Sequence, residues 1–271
     1  MLLAMVAAAM FAYVGYRLYL RTNALTAPAL VTPAMDVHRL LSPSLAVRWD
    51  RLVHGNARPL GARPKLIALT FDDGPYPVDT PLLLDALDDV GVPATFFLIG
   101  RDGQQYPELV RRIAARGHEI ANHTLTHPDL DRLDDAAVAR EIAAGAGALS
   151  MFVADPALKT MLRPPHGRYT EATLRVAQAA GYNVVLWNDD PGDWRSVPAP
   201  DLLDHIAAHA TAPEILLLHS GRHATMDVLP ALVARFRGAG YRFVTVGSLL
   251  HAVSAEQLNH PEKQPLTILK G

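Results

Sequence analysis

From Lys65 onward, short apolar runs rich in β-branched and aromatic residues alternate with segments that carry helix start and stop signals. The run from Lys65 to Phe71 is followed by Thr80-Pro81, which begins a helix that ends at Gly91. Further along, Asp134 and Thr170 are predicted to cap helices, and Asn183 to Trp187 is predicted to be a strand. Proline fits the first position of a helix and glycine the position just past its end. Strands that alternate with helices form a parallel sheet with helices packed outside it. The sequence therefore predicts an α/β fold of about seven strands, either an open sheet or a barrel.

Composition narrows the class of protein. Half of the 271 residues are hydrophobic, so the chain can bury a sizeable core. The formal net charge of −2 gives no basic field of the kind that favours nucleic acid. The chain has no cysteine, so any metal must be held by His, Asp or Glu, and 12 histidines are present.

Outside the alternating region, the pattern predicts three further segments. Residues 2–16 are uncharged and apolar, which favours a membrane anchor or export signal over 1–21 and places the protein in the cell envelope or outside the cell. The alternative is a buried apolar helix. Residues 22–63 show no sustained period and are interpreted as a linker. Residues 64–252 form the predicted folded domain, and 253–271 a polar tail.

Five polar clusters each follow a predicted strand, at the end of a parallel sheet where ligands bind. The first is Thr70 to Pro75, in which Asp72 and Asp73 are adjacent. Neighbouring carboxylates cannot both point the same way, so one can bind a metal while the other acts as a base. By itself, an Asp-Asp-Gly turn is also common on a solvated surface.

The second cluster is His123 to His127. Two histidines four residues apart lie on one face if the segment forms a helical turn, so both rings can reach one ion. With an aspartate from another strand end they would leave coordination positions open, as in catalytic zinc sites. Two unrelated core or surface histidines would give the same spacing.

The remaining clusters follow later strands. Residues 163–167 place Arg163 beside two prolines, where it can pair with a carboxylate. Residues 187–194 combine three carboxylates with two tryptophans, and an indole face can stack on a sugar ring. The run at 216–220 ends an apolar strand with His219, a candidate general acid. Each cluster alone also fits an ordinary turn or a core histidine.

Taken in this order, the five clusters resemble the motifs of the polysaccharide deacetylases of the NodB-homology type, carbohydrate esterase family 4. The resemblance covers roughly residues 64–252 and implies a distorted (β/α) barrel. The matching segments are Thr70–Pro75, His123–His127, Arg163–Gly167, Asp190–Trp194 and Leu217–His219.

The resemblance implies a metal site and a general base. Asp73, His123 and His127 would bind a divalent ion, with zinc the default from the ligand types and cobalt, nickel or manganese also compatible. Asp72 would act as the general base, held by Arg163.

The resemblance also implies the acid side of the reaction. His219 would be the general acid, with Asp193 adjusting its pKa, and the backbone N–H of His166 would face the oxyanion. Three residues would contact the substrate: Trp194, Leu217 and Pro164. The family often has Tyr at the position of His166 and Asp at that of Ser220, and neither departure removes a ligand, the base or the acid.

The implied function is metal-dependent hydrolysis of N-acetyl groups on a carbohydrate polymer such as peptidoglycan, a chitin-like polysaccharide or poly-N-acetylglucosamine. One alternative is a deacylase of a lipid-linked or small sugar, or of a non-sugar amide. A second is a non-catalytic carbohydrate-binding protein on the same fold. The expected partners are the carbohydrate and, through residues 1–21, a membrane.

Overall fold

A computed structural model describes residues 64–259 of the protein. The predicted anchor at 1–21 and linker at 22–63 lie outside the described residues, as do residues 260–271 of the predicted tail. No helix within 64–259 is both long and apolar enough to cross a membrane.

Seven parallel strands form one sheet in the described region, in the order β5-β4-β3-β2-β1-β6, with β7 also pairing with β1. The strands are β1 (Leu66–Asp72), β2 (Thr95–Leu98), β3 (Glu119–Asn122), β4 (Met161–Leu162), β5 (Asn183–Val184), β6 (Glu214–His219) and β7 (Arg242–Phe243). All seven residues of β1 are buried, which explains the uninterrupted apolar run in the sequence. The expected α/β fold with about seven parallel strands is confirmed.

The sheet curls so that its two ends approach each other. Asp189, beyond the end of β5, forms an isolated parallel bridge with Leu216 of β6. The backbone of Asn188 donates to Ile215, and that of Leu217 donates to Asp189. This closure makes a distorted barrel instead of an open sheet.

Strand β5 is shorter than the sequence predicts, because the apolar run Asn183 to Trp187 suggested five residues and only two are paired as strand. The carbonyls of Val185 and Leu186 accept hydrogen bonds from the guanidinium of Arg163, each at 3.2 Å. The side chain of Arg163 therefore occupies backbone acceptors that a neighbouring strand would otherwise use.

Eight α-helices accompany the strands in the described region. They are α1 (Asp79–Val90), α2 (Gly100–Gln105), α3 (Pro107–Ala115), α4 (Asp135–Ser150), α5 (Glu171–Ala179), α6 (Ala199–His209), α7 (His223–Gly238) and α8 (Val246–Asn259). The predicted signals operate as expected at three ends. Gly91 ends α1 with a left-handed backbone, while Asp134 and Thr170 cap α4 and α5 through their side chains.

Two helices were not predicted. The short helix α2 directly follows β2 and has no periodic apolar face. Helix α8 runs through the expected domain boundary at 252, so the tail predicted from 253 begins as helix. Its buried Val246 and Leu249 pack in a core cluster with Leu66 of β1, and Leu250 and Val253 pack against that cluster. This helical spacing extends the packed domain beyond the last strand.

Candidate active site

Asp73, His123 and His127 lie together at the carboxyl ends of β1 and β3. One ligand atom from each residue lies within 4.8 Å of the other two, and this is the one such group of three in the described region. Nε2 of His127 is 3.3 Å from Oδ1 of Asp73, and Nε2 of His123 is 3.7 Å from the same oxygen. Two imidazoles and one carboxylate around a common point suit a divalent ion and leave coordination positions for water and substrate.

The two histidines meet through a loop, and the helical turn considered for this segment does not form. Thr124 and His127 have left-handed backbones, with φ of 71° and 61°, and Asp73 also has a φ of 70°. The rings of His123 and His127 nonetheless approach to 4.8 Å between centroids. Left-handed conformations in non-glycine residues are strained and concentrate at functional sites.

Helix α4 holds this loop in place. The carboxylate of Glu141 accepts hydrogen bonds from the backbone of Leu125 and Thr126 at 3.0 and 2.9 Å. Close packing is possible because a Cβ on Gly145 would lie 2.6 Å from the carbonyl carbon of Thr124. Neither Glu141 nor Gly145 belongs to a motif, and only their position on the helix facing the loop identifies them.

The tautomer of His123 is set by the backbone. Its Nδ1 lies 2.8 Å from the carbonyl oxygen of Arg163, so the ring donates there and presents the lone pair of Nε2 to the ion site. Burial lowers the pKa of His123 to about 3 and also lowers the pKa of His127, despite the nearby charge of Asp73. Both rings are thus neutral near pH 7, which is the form that binds metals.

Asp72 points away from this triad toward Arg163. Nη1 of Arg163 donates to Oδ1 of Asp72 at 2.6 Å and to Oγ1 of Thr70 at 2.8 Å. The guanidinium is fully buried, and its carbon lies 4.0 Å from the centroid of the Phe97 ring. Burial raises the pKa of Asp72, and the charge of Arg163 offsets only part of that effect. The second carboxyl oxygen of Asp72 is 3.8 Å from Nε2 of His123, so the carboxyl borders the ion site.

On the neighbouring strand, His219 is held by Asp193. Their side chains meet at 2.7 Å between Nδ1 and Oδ1, and the backbone of His219 donates to Oδ2 at 2.8 Å. Thr225 donates to the same Oδ2 at 2.6 Å. Burial lowers the pKa of His219, but the hydrogen bond and charge of Asp193, with smaller effects from Asp72 and Asp73, raise it overall. The imidazolium form is therefore favoured, as a general acid requires.

The sheet itself sets the positions of Asp72 and His219. They are register partners at the ends of β1 and β6, and the backbone of Ser220 donates to the carbonyl of Asp72 at 3.1 Å. The base and acid candidates thus flank the metal triad on adjacent strands.

His166 lies at the edge of the site. Its ring contacts that of His127 edge-on, with centroids 4.7 Å apart, and its Nδ1 is 2.9 Å from Oδ1 of Asp129. Its backbone is left-handed, with φ of 56°, inside a short 3₁₀ turn at Pro165–Gly167. The side chain is more than half exposed, so this departure from the family's Tyr changes the rim and leaves the ligands unaltered.

The predicted substrate-contacting residues differ in exposure. Trp194 is 44% exposed and stacks with Arg195, whereas Leu217 and Pro164 are buried. Their part in substrate binding stays a prediction. Next to the metal triad lies a cavity of about 240 Å³, lined by Asp73, Tyr76, Asp79, His219, Gly221 and Arg222. No sequence pattern pointed to Tyr76, Asp79 or Arg222, because the two segments that bring them together are distant in the chain.

A three-ligand ion site at the strand ends of a distorted α/β barrel, flanked by a buried carboxyl and a carboxylate-held imidazole, defines a metal-dependent hydrolase. The sequence model of the polysaccharide deacetylase family matches residues 61–185 of this chain. A peptidoglycan-N-acetylglucosamine deacetylase of Bacillus cereus is 39% identical over 221 residues, which is 80% of this chain and 98% of the relative. A chitooligosaccharide deacetylase of Sinorhizobium fredii is 40% identical over 57% of this chain and 72% of the relative.

Solved structures agree with the sequence relatives. The peptidoglycan deacetylase PdaC from Bacillus subtilis superposes with a TM-score of 0.65 at 30% identity, covering 73% of this chain and 95% of that one. The chain belongs to the polysaccharide deacetylase family, carbohydrate esterase family 4.

Proposed function

We propose that the chain hydrolyses the acetamide of N-acetylglucosamine units in peptidoglycan or a chitin-type glycan, releasing acetate and leaving a free amine on the sugar. The observation that carries this proposal is the placement of Asp72 and His219 on adjacent strands around the Asp73, His123 and His127 triad. The relatives named above, which act on peptidoglycan and chitooligosaccharides, support the choice of substrate.

The donor set fits a divalent ion. His123 and His127 are neutral, and Asp73 supplies the negative charge, so zinc is the metal that we propose. When bound, such an ion would polarise the amide carbonyl and lower the pKa of a water molecule at the site.

Asp72 takes the proton from the attacking water. Arg163 donates to Oδ1 of Asp72 at 2.6 Å, which fixes the carboxyl and leaves Oδ2 facing the site. Burial raises the pKa of this carboxyl, which brings it nearer to that of a base able to accept a proton at neutral pH. Water thus adds to the carbonyl carbon as its proton moves to Asp72.

His219 completes the reaction by giving its proton to the departing nitrogen. Because Nδ1 is engaged by Asp193, the proton for transfer lies on Nε2 of His219, a residue that lines the cavity beside the metal triad. As the C–N bond breaks, the nitrogen leaves as an amine and the acyl group as acetate. The backbone N–H of His166 is proposed to donate to the oxyanion, and Trp194, Leu217 and Pro164 to contact the substrate.

The test is acetate release from a panel of peptidoglycan, N-acetylglucosamine oligomers, acetylxylan and lipid-linked N-acetyl sugars. We expect activity on the first two, loss with a chelator, and recovery with zinc. Activity on lipid-linked or small sugars alone would replace the proposed substrate. Oligomer binding by the zinc-loaded chain without acetate release from any member would instead establish a non-catalytic binder.

We also propose that residues 1–21 direct the protein to the cell envelope, because 2–16 are uncharged and apolar. Cell fractionation tests this. The full chain should appear in the membrane or exported fraction, and a chain beginning at residue 22 should appear in the cytoplasm. Equal distribution of the two would contradict the proposal.

A further inference from the structure

The cavity beside the metal triad lies next to His219, the proposed general acid. His219 and Asp73 both line it, and its remaining lining comes from Tyr76, Asp79, Gly221 and Arg222. Since His219 protonates the leaving nitrogen in the proposed reaction, a ligand in this cavity would be attached to that nitrogen. The group attached there is the sugar, and the acyl group lies on the other side of the scissile bond.

Tyr76 is fixed in this cavity. Its backbone N–H donates to Oγ1 of Thr80 at 2.8 Å at the start of α1. Its ring lies so close over Gly221 that a Cβ there would be 3.1 Å from Cε2 of the tyrosine. The ring is therefore a preformed wall, and a side chain at 221 would displace it.

Two charged side chains of the cavity, Arg222 and Asp79, lie outside the metal triad and the His219–Asp193 pair and are available for a ligand. Arg222 is exposed and forms no side-chain hydrogen bond or ion pair with any residue of 64–259. The side chain of Asp79 is one quarter exposed, and Nε2 of His223 lies 3.7 Å from its Oδ1. A guanidinium supplies only donors and a carboxylate only acceptors, so together they match hydroxyls, which both donate and accept.

We propose that Tyr76, Asp79 and Arg222 form the subsite for the sugar whose acetamide is cleaved. The inference rests on the proposed function. The opposite charges favour a neutral hydroxylated ring over an acidic or basic group, because a charged ligand would be attracted by one side chain and repelled by the other. These residues position the sugar and take no part in proton transfer.

Binding is measured by calorimetry on the zinc-loaded chain carrying Asp72→Asn, with N-acetylglucosamine oligomers of different length. Addition of Arg222→Met should weaken binding on the order of 10-fold, because hydrogen bonds to a charged donor are among the stronger ones. Asp79→Asn should also weaken binding, and Tyr76→Phe should do so to a smaller degree. The matched control is Arg175→Met, exposed on α5 and outside the cavity.

Steady-state kinetics of Arg222→Met in an enzyme that retains Asp72 distinguish a loss of sugar positioning from damage to the catalytic site. For Arg222→Met we expect a KM raised by a similar factor for short and long oligomers, with an unchanged zinc content and a kcat within roughly 3-fold. Hydrolysis of an aryl acetate, which has no sugar, should be unaffected. Arg222→Lys should recover part of the oligomer binding.

Three results would overturn the inference: binding and KM equal to those of Arg175→Met, a penalty confined to long oligomers, or an equal penalty on the aryl acetate. If the unaltered enzyme releases no acetate from any glycan, the proposed function fails. Calorimetry still decides the subsite in that case, because absence of oligomer binding, or binding unaffected by Arg222→Met, would refute it.

Discussion

Asp193 binds His219 at two points, with Oδ1 on the ring nitrogen Nδ1 at 2.7 Å and Oδ2 on the backbone nitrogen at 2.8 Å. The first contact selects the tautomer and raises the pKa of the ring, while the second fixes the orientation of the residue at the end of β6. A carboxylate that is 1% exposed and accepts a third hydrogen bond from Thr225 cannot readily change position.

Replacement of Asp193 by Asn should therefore change the pH dependence of the enzyme. A raised pKa keeps His219 protonated to higher pH, so loss of the Asp193 charge should move the alkaline limb of kcat/KM to lower pH. The rate at the optimum should fall by on the order of 10²-fold, because the acid is no longer tuned. Asp204→Asn, on the exposed side of α6, serves as the control. An alkaline limb that does not move would mean that another group is the acid.

Asp72→Asn should abolish most of the activity without loss of metal. The amide cannot accept the proton of water, and loss of a general base costs on the order of 10²–10⁴ in rate. Its oxygen can still accept from Arg163, so the fold should be retained. Acetate release and zinc content measured on the same sample test this. Full activity with metal bound would contradict the role assigned to Asp72.

Arg163→Met should be more damaging to stability than Asp72→Asn. It leaves the buried carboxyl of Asp72 without its cation and removes the donors to Val185 and Leu186. Breaking a buried ion pair from one side typically costs about 3–5 kcal/mol. Urea unfolding measures the change, with the exposed Arg175→Met expected to lie within about 0.5 kcal/mol of the unaltered protein. A free energy of unfolding for Arg163→Met equal to that of Arg175→Met would refute this account.

His123→Ala should reduce metal binding strongly. We expect a loss larger than the roughly 10- to 100-fold caused by removing an outer-shell partner of a metal ligand. The metal content after dialysis against a graded chelator series measures the affinity. His251→Ala, at an exposed position of α8, should bind metal normally. Retention of full affinity by His123→Ala would place the ion elsewhere.

Two glycines of α4 offer a matched test of how this helix supports the site. A methyl group on Gly145 would clash with the backbone of Thr124, whereas Gly147 has open space around it. Gly145→Ala should destabilise the protein by about 1–3 kcal/mol and weaken metal binding. Gly147→Ala should stabilise it by up to about 1 kcal/mol through helix propensity. Thermal unfolding and metal titration of both would show whether the contact at Gly145 matters.

Local signals in the sequence predicted most of the fold. The buried strand β1 and the helix ends at Gly91, Asp134 and Thr170 follow from single residues and their neighbours. The short strands were overestimated, since the length of β5 depends on the distant Arg163. Helix α8 was not predicted, because its apolar residues are recognisable as a buried face only when the core that they pack against is known.

In the candidate site, too, local motifs were predicted and features that depend on distant residues were not. Asp73 and the two histidines were predicted from motifs, and the structure places them together. The helical turn considered for His123 and His127 was wrong, because left-handed residues shape the loop instead. Tyr76, Asp79 and Arg222 could not have been found, since their proximity depends on how two loops fold over adjacent strands.

The pairing of Asp72 with His219 across β1 and β6 has a consequence for how such an enzyme can diverge. The spacing between these two residues, which we propose transfer protons, is set by a backbone ladder that ordinary side-chain substitutions do not alter. The loop residues that follow those strands, 76–78 and 221–222, are not part of the ladder. New glycan preferences can therefore arise by mutation in these loops while the reaction chemistry is preserved.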